Sequence, residues 1–159
     1  MEINQYGMRM DADRVNYLVK EATYAYEGSG SVTESDDIVN MLNAILDLRN
    51  RAEEHLYMIA LSNAQEIKGI CEISHGDPFR SPISAREIYS RALLIGACGV
   101  ILAHNHTSGQ SEPSQVDIDT TKKIFVVGEL IGIQLLDHIT IGADDYSSML
   151  AMGVLRRTA

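Results

Sequence analysis

Val100-Ile101-Leu102-Ala103-His104-Asn105-His106-Thr107-Ser108-Gly109 is the stretch whose reading fixes the rest of the chain. Its four leading apolar residues read as a buried strand, which runs directly into a polar loop closed by glycine. His104 and His106 stand two apart at the C-terminal end of that strand, so their imidazoles leave the backbone on the same side. Asp117 follows Pro113-Ser114-Gln115-Val116. Ser114 has the chemistry of an N-cap, which puts Asp117 in the first turn of the next helix. A strand end and a helix start can then share one cation. Two neutral imidazoles and one carboxylate leave a zinc ion an open fourth position, the ligand set of catalytic rather than structural zinc. Spacing alone equally admits two surface histidines and an aspartate that merely caps its helix.

Upstream of that strand, Ser84-Ala85-Arg86-Glu87 reads as a capping box opening a helix through Ile88, Ala92 and Leu93, with a stop near Gly96. His75 to Pro82 reads as a loop from its glycine and two prolines. Glu54 to Leu61 is apolar on both faces after its first two residues, as a central strand is. Asn63-Ala64-Gln65 then turns the chain into an antiparallel partner over Ile67 to Ile73. Ser35-Asp36-Asp37 caps a helix whose apolar positions Ile38, Met41, Leu42, Ile45 and Leu48 recur at three and four. Residues 1 to 27 read as an extended or partly helical arm, followed by a flexible break at Gly28-Ser29-Gly30-Ser31. The expected division is an N-terminal arm over 1–34 and a domain over 35–159. Downstream, a helix runs from Asp117 through Ile118, Thr121, Lys122, Phe125 and Val126 to a stop near Gly132. A strand over Ile133 to Ile141 and a short closing helix over Tyr146 to Leu155 complete the chain.

His104-Asn105-His106, Ser108-Gly109, Glu112-Pro113-Ser114 and Asp117 resemble the signature of the RadC-like branch of the JAMM/MPN+ (JAB domain) metalloprotease superfamily. Arg86-Glu87-Ile88 and Arg91-Ala92-Leu93 match it upstream, and Leu136-Asp137-His138-Ile139-Thr140-Ile141-Gly142 downstream. The likeness runs from about residue 50 to the C-terminus, in the family's order. One departure is Thr107, where the family usually has proline. The resemblance implies an α/β fold, a mixed and mainly antiparallel sheet with flanking helices. It also implies one zinc ion per chain, held by His104, His106 and Asp117.

The family's acid at a strand entrance, which hydrogen-bonds the water on the metal, falls on Glu54. Glu53 is the neighbouring alternative, and since successive strand side chains point to opposite faces only one can serve. Glu54 as general acid/base, zinc-bound water as nucleophile and Ser108 as donor to a developing oxyanion together imply cleavage of a peptide or isopeptide bond. Ser108 read blandly is a loop hydroxyl satisfying backbone. Asp119 competes with Asp117, and the family spacing selects Asp117. His75 reads as polar surface rather than a fourth ligand. His138, mid-strand beside Asp137, reads as a buried structural histidine or one orienting a ligand.

Composition narrows the alternatives. With 159 residues and 45% apolar content the chain has room for a real core, and no apolar stretch approaches the length of a membrane span. The N-terminus shows no basic region followed by an apolar one, so a cytoplasmic location without membrane attachment is expected. Cys71 and Cys98 lie in apolar runs without CxxC spacing and are expected as buried, reduced thiols.

The net charge is −9, with 22 acidic side chains against 13 basic ones, and the only dense basic cluster is Arg156-Arg157. That balance disfavours tight binding to a nucleic-acid backbone. Family members usually carry a helix-hairpin-helix module upstream, and its pattern is not found in residues 1–34. A DNA repair or recombination accessory role, the label attached to RadC, therefore stands as an alternative. So does a metal-stabilised interaction module without turnover. A nucleobase deaminase is rejected because its His-x-Glu and Pro-Cys-x-x-Cys ligands are absent. The partner expected is a peptide or protein substrate, and a homodimer through an exposed sheet edge is compatible with the sequence.

Overall fold

Alternation along the strands sets the layers of this protein. The computed structural model describes residues 1–76 and 83–156. In chain order the elements are β1 (Glu2–Met10), β2 (Asn16–Ala25), α1 (Ser35–Leu46), a 3-10 turn (Leu48–Asn50), β3 (Glu54–Leu61), β4 (Ile67–Gly76), α2 (Ala85–Ile95), β5 (Gly99–Asn105), α3 (Gln115–Ile131), β6 (Gln134–Ile141) and β7 (Tyr146–Ser148). They form one seven-stranded sheet in the order β2-β1-β4-β3-β5-β6-β7. β1 with β4 and β5 with β6 pair in parallel, and the remaining neighbours are antiparallel. The mixed, mainly antiparallel α/β architecture that the resemblance implies is the one observed.

On one face, Tyr57, Ile59 and Leu61 of β3 join Ile101, Ala103, Ile139 and Ile141 under the apolar stripe of α1. On the other, Leu56, Met58 and Ala60 join Val100, Leu102 and Leu135 under Ile88 and Ala92 of α2 and Ile124 of α3. Each such large apolar side chain contributes about 1.5–3 kcal/mol on full burial. Close approach of α2 and α3 requires Gly128, since a Cβ there would fall 2.5 Å from the Ile133 carbonyl and 2.3 Å from the Tyr89 hydroxyl. That hydroxyl donates to the Ile124 carbonyl at 2.9 Å, tying the helices together.

The parallel pair β5–β6 positions the site. Parallel neighbours need a crossover, and α3 supplies it. Its N-terminus therefore lies just beyond the C-terminal end of β5, where His104 and His106 sit. α3 ends at Gly132, in left-handed conformation at φ 76°, as its glycine stop implies.

Of the two readings of the N-terminal arm, extended or partly helical, the extended one is observed: β1 and β2 form a long hairpin, and β1 joins the sheet beside β4. Other local expectations are corrected. The closing helix does not form. Tyr146–Ser148 extends as β7 against Ile139–Ile141, and the chain then turns, with Gly153 at φ 78°. Asp137 explains this, because it accepts from Ser148 Oγ at 2.6 Å and from the Leu150 N–H at 2.9 Å and so holds the segment extended. Ser84 is the N-cap of α2 but makes no side-chain capping bond, so the expected box is not made there. α1 starts one residue earlier than read, with Glu34 rather than Ser35 as N-cap. Cys71 is buried, which pushes its thiol pKa up to about 11, whereas Cys98 is exposed on the short approach to β5. The loop read over His75 to Pro82 lies outside the described residues after Gly76, as does Arg157 of the basic pair. No helix among the described residues is long and apolar enough to cross a membrane.

Candidate metal centre

His104 Nε2, His106 Nε2 and the Asp117 carboxylate converge, each ligand atom within 4.8 Å of the others. The two Nε2 atoms stand 2.9 Å apart, His104 Nε2 lies 3.6 Å from Asp117 Oδ1, and His106 Nε2 lies 3.4 Å from Oδ2. Among the described residues this is the only group of three or more His, Cys, Asp or Glu side chains so arranged.

Each side chain is held from behind. His106 continues the β5 ladder through its N–H to the Ile141 carbonyl at 2.9 Å, and its Nδ1 faces the Gln110 carbonyl at 2.9 Å. His104 Nδ1 faces His138 Nε2 at 2.8 Å, in a pocket that leaves His104 only 6% exposed. Asp117 closes a reciprocal capping box: Ser114 Oγ accepts from the Asp117 N–H at 3.1 Å, while Asp117 Oδ2 accepts from both Ser114 N and Ser114 Oγ at 2.7 Å. The expectation that Ser114 starts this helix and turns Asp117 toward the histidines describes the geometry observed.

A carbonyl only accepts, so the His106 Nδ1 facing Gln110 carries a proton, and the neutral ring presents a bare lone pair at Nε2. Two imidazole nitrogens and a carboxylate then face one another, with the His106 nitrogen offering a lone pair. Such a set calls for a cation, either a proton or a metal. Tetrahedral zinc with bonds of about 2.0–2.1 Å separates its ligand atoms by about 3.3–3.4 Å, close to the spacings seen here. The residues fit a divalent metal of zinc type. The Asp117 carboxylate raises the His106 pKa against the opposing effect of burial. Burial pushes Asp117 upward in turn, but the facing His104 and His106 rings outweigh it and hold Asp117 well below the usual carboxylate range.

A cavity of about 250 Å³ opens beside the cluster, lined by Glu54, His106, Ser108, Gln110 and Asp117 among others. Strand alternation decides between the neighbouring acids. Leu56 pairs with His104 and faces α2 and α3, so Glu54 shares that face, while Glu53 lies outside the cavity lining. Ser108 lines the cavity and its Oγ accepts from the Gln110 N–H at 3.3 Å, which uses a lone pair and leaves the hydroxyl proton free.

Thr107 occupies the second position of a tight turn closed by the Gly109 N–H to the His106 carbonyl at 3.1 Å. Proline suits that position, and threonine fills it without loss of the closing bond. Gly109 at φ 83° completes the turn. Asp119 is not brought to the cluster; it accepts from Gln115 Nε2 at 2.9 Å on the exposed side of α3. His75 lies elsewhere too, stacked on His55 at 5.7 Å on β4.

Sequence reasoning missed Asn105 and Thr121. Asn105, 1% exposed, accepts from the His55 N–H at 2.7 Å and donates to the Glu53 carbonyl at 2.9 Å, so it clasps the backbone on both sides of Glu54. Its place between two candidate ligands was the available signal. Thr121 stands one helical turn after Asp117, with its hydroxyl 2.6 Å from His138 Nδ1. His138 is fully buried, and burial drives its pKa well below the usual imidazole value.

Comparison with known proteins gives a family model, described as a RadC-like JAB domain, that matches residues 32–154. The chain is 36% identical over 127 residues to a UPF0758 protein of Clostridium acetobutylicum, covering 80% of this chain and 55% of that protein. It is 36% identical over 112 residues to a UPF0758 protein of Caldanaerobacter subterraneus, covering 70% and 47%. A UPF0758 protein of Desulfitobacterium hafniense is 33% identical over 124 residues, covering 78% and 54%. The chain spans about half the length of the curated relatives it matches.

Proposed function

The chain belongs to the RadC-like JAB domain family, and from that premise we propose that it is a zinc-dependent hydrolase of JAMM type that cleaves a peptide or isopeptide bond. One observation carries the reading. Three ligand atoms from His104, His106 and Asp117 converge beside a cavity whose wall presents a carboxylate, Glu54, and a hydroxyl with a free proton, Ser108.

His104, His106 and Asp117 would hold the ion. Bound zinc supplies Lewis acidity, polarising a carbonyl and making water acidic enough to attack near neutral pH. The protein's own groups do the rest. Glu54 accepts the proton of the attacking water and delivers it to the leaving nitrogen, so the C–N bond breaks to a free amine and a carboxylate. Ser108 donates to the oxygen that gains charge as the carbonyl becomes tetrahedral, and such a donor is worth about 10²–10³ in rate. Asn105 keeps the β3 entrance, and with it Glu54, in register with the two histidines.

The test is hydrolysis of peptide and lysine-linked isopeptide substrates by zinc-loaded protein beside a Glu54→Gln variant. Turnover in the parent and its loss in the variant at equal zinc content supports the reading. Equal rates in both, or no turnover by a parent that holds zinc, contradicts it. The alternative of a DNA repair accessory rests on the family label, and the net charge of −9 works against it.

A further inference from the structure

Behind His104 runs a chain of short contacts that crosses three elements of the fold. Thr121 Oγ1 lies 2.6 Å from the Asp117 carbonyl oxygen and 2.6 Å from His138 Nδ1, and His138 Nε2 lies 2.8 Å from His104 Nδ1. Thr121 and His138 are 0% exposed, so no water takes part from outside. β6 delivers His138 opposite Leu102 of β5, on the face covered by α3.

Each of these contacts is short enough to require one proton between its two atoms. The carbonyl cannot supply one, so the Thr121 hydroxyl donates to Asp117 O and its oxygen is left as an acceptor. His138 Nδ1 must therefore carry a hydrogen. No carboxylate stands among the hydrogen-bond partners of the His138 side chain, and an unpaired imidazolium at that depth is strongly disfavoured. Its Nε2 is then a lone pair, which accepts from His104 Nδ1. The remaining nitrogen of His104, Nε2, is left bare and faces the cluster. The reverse polarity would leave two oxygens 2.6 Å apart with no proton between them and would place a hydrogen on His104 Nε2.

We propose that Thr121 and His138 are positioning residues that set the tautomer and ring orientation of His104, so that its Nε2 lone pair is directed at the cation site before any cation binds. The relay starts on the backbone of Asp117 and ends on the ring of His104, so it also locks two of the three candidate ligands to each other across β5, β6 and α3. The proposal rests on the metal-site reading above.

Two measurements test it. Long-range 1H–15N spectra of the metal-free protein should show both His104 and His138 with hydrogen on Nδ1; hydrogen on His138 Nε2 would overturn the proposal. Zinc and cobalt affinities, measured by competition with a chromophoric chelator, should fall about 10- to 100-fold in Thr121→Val and stay within about threefold of the parent in Thr121→Ser. The cobalt visible spectrum should change in the valine variant and be restored in the serine one. Valine binding as tightly as the parent, or serine as weakened as valine, contradicts the role of the hydroxyl. Where Thr121→Val does not fold by circular dichroism, His138→Gln takes its place, with the same loss expected and parent-like affinity contradicting the proposal. A parent that binds neither metal fails the site reading itself, and with it this inference, whereas a parent that binds while Thr121→Val is unchanged fails only the inference.

Discussion

The side-chain oxygen of Asn105 accepts the backbone N–H of His55 at 2.7 Å, so the residue between the two candidate ligands of β5 grips the strand that presents Glu54. The amide nitrogen of the same side chain donates to the Glu53 carbonyl at 2.9 Å. Replacing Asn105 with alanine leaves a half-buried donor and acceptor unpaired. The expected loss is about 1–3 kcal/mol of stability, read by thermal or urea denaturation. Zinc content should be unchanged, because no ligand is touched, while hydrolysis falls at least about tenfold through a displaced Glu54. Full activity in a normally folded Asn105→Ala protein contradicts this role.

Ser114→Ala removes the hydroxyl that caps α3 and one of two donors 2.7 Å from Asp117 Oδ2. Loss of such a cap typically costs about 0.5–2 kcal/mol. The same change frees the carboxylate to rotate, so zinc affinity should fall together with stability. Chelator competition on the folded variant checks this, and parent-like affinity contradicts it.

The pH dependence follows from the paired shifts. Asp117 raises the His106 pKa above its ordinary 6.5, and Asp117 itself ends below its ordinary 3.8 despite burial. A raised folded-state pKa contributes stability that is complete below the unfolded value and is lost as pH rises through the folded one. A lowered pKa contributes above the unfolded value and is lost as pH falls. The pair therefore stabilises the metal-free protein most between about pH 4 and 6.5, with a decline above. Zinc affinity should run the opposite way, rising with pH until His106 is deprotonated, since metal and proton compete for one lone pair. Thermal melts of metal-free protein and zinc titrations across that range check both slopes.

Thr107→Pro should be tolerated and mildly stabilising. The position is second in the turn closed by Gly109 N to His106 O, where proline is favoured and no hydrogen bond of the Thr107 N–H is lost. About 0.4–1 kcal/mol of added stability is expected, as a higher melting temperature with unchanged zinc content. A drop in melting temperature would show that the backbone at Thr107 does not suit proline.

What was legible in the sequence, and what was not, divides along physical lines. The buried strand Val100 to Ala103, the double histidine and the Ser114 to Asp117 cap were readable because strand alternation and helix capping are local. The central hairpin was readable from its apolar run and turn. The β1–β2 hairpin was not, because its two strands mix polar and apolar residues and its place in the sheet depends on β4, far along the chain. The failed closing helix is a similar case: Asp137 draws Ser148 into an extended strand, a contact that periodicity cannot express. Likewise Thr121 looked like one more helix residue until β6 brought His138 beside it.

Zinc stoichiometry decides whether His104, His106 and Asp117 form one metal site. Protein purified without chelator, or titrated with zinc under reducing conditions, is analysed by mass spectrometry beside folded His104→Ala and Asp117→Ala variants. One zinc per chain in the parent, lost in both variants, is the expected result. A parent without zinc even after titration, or variants that retain the full complement, contradicts the account.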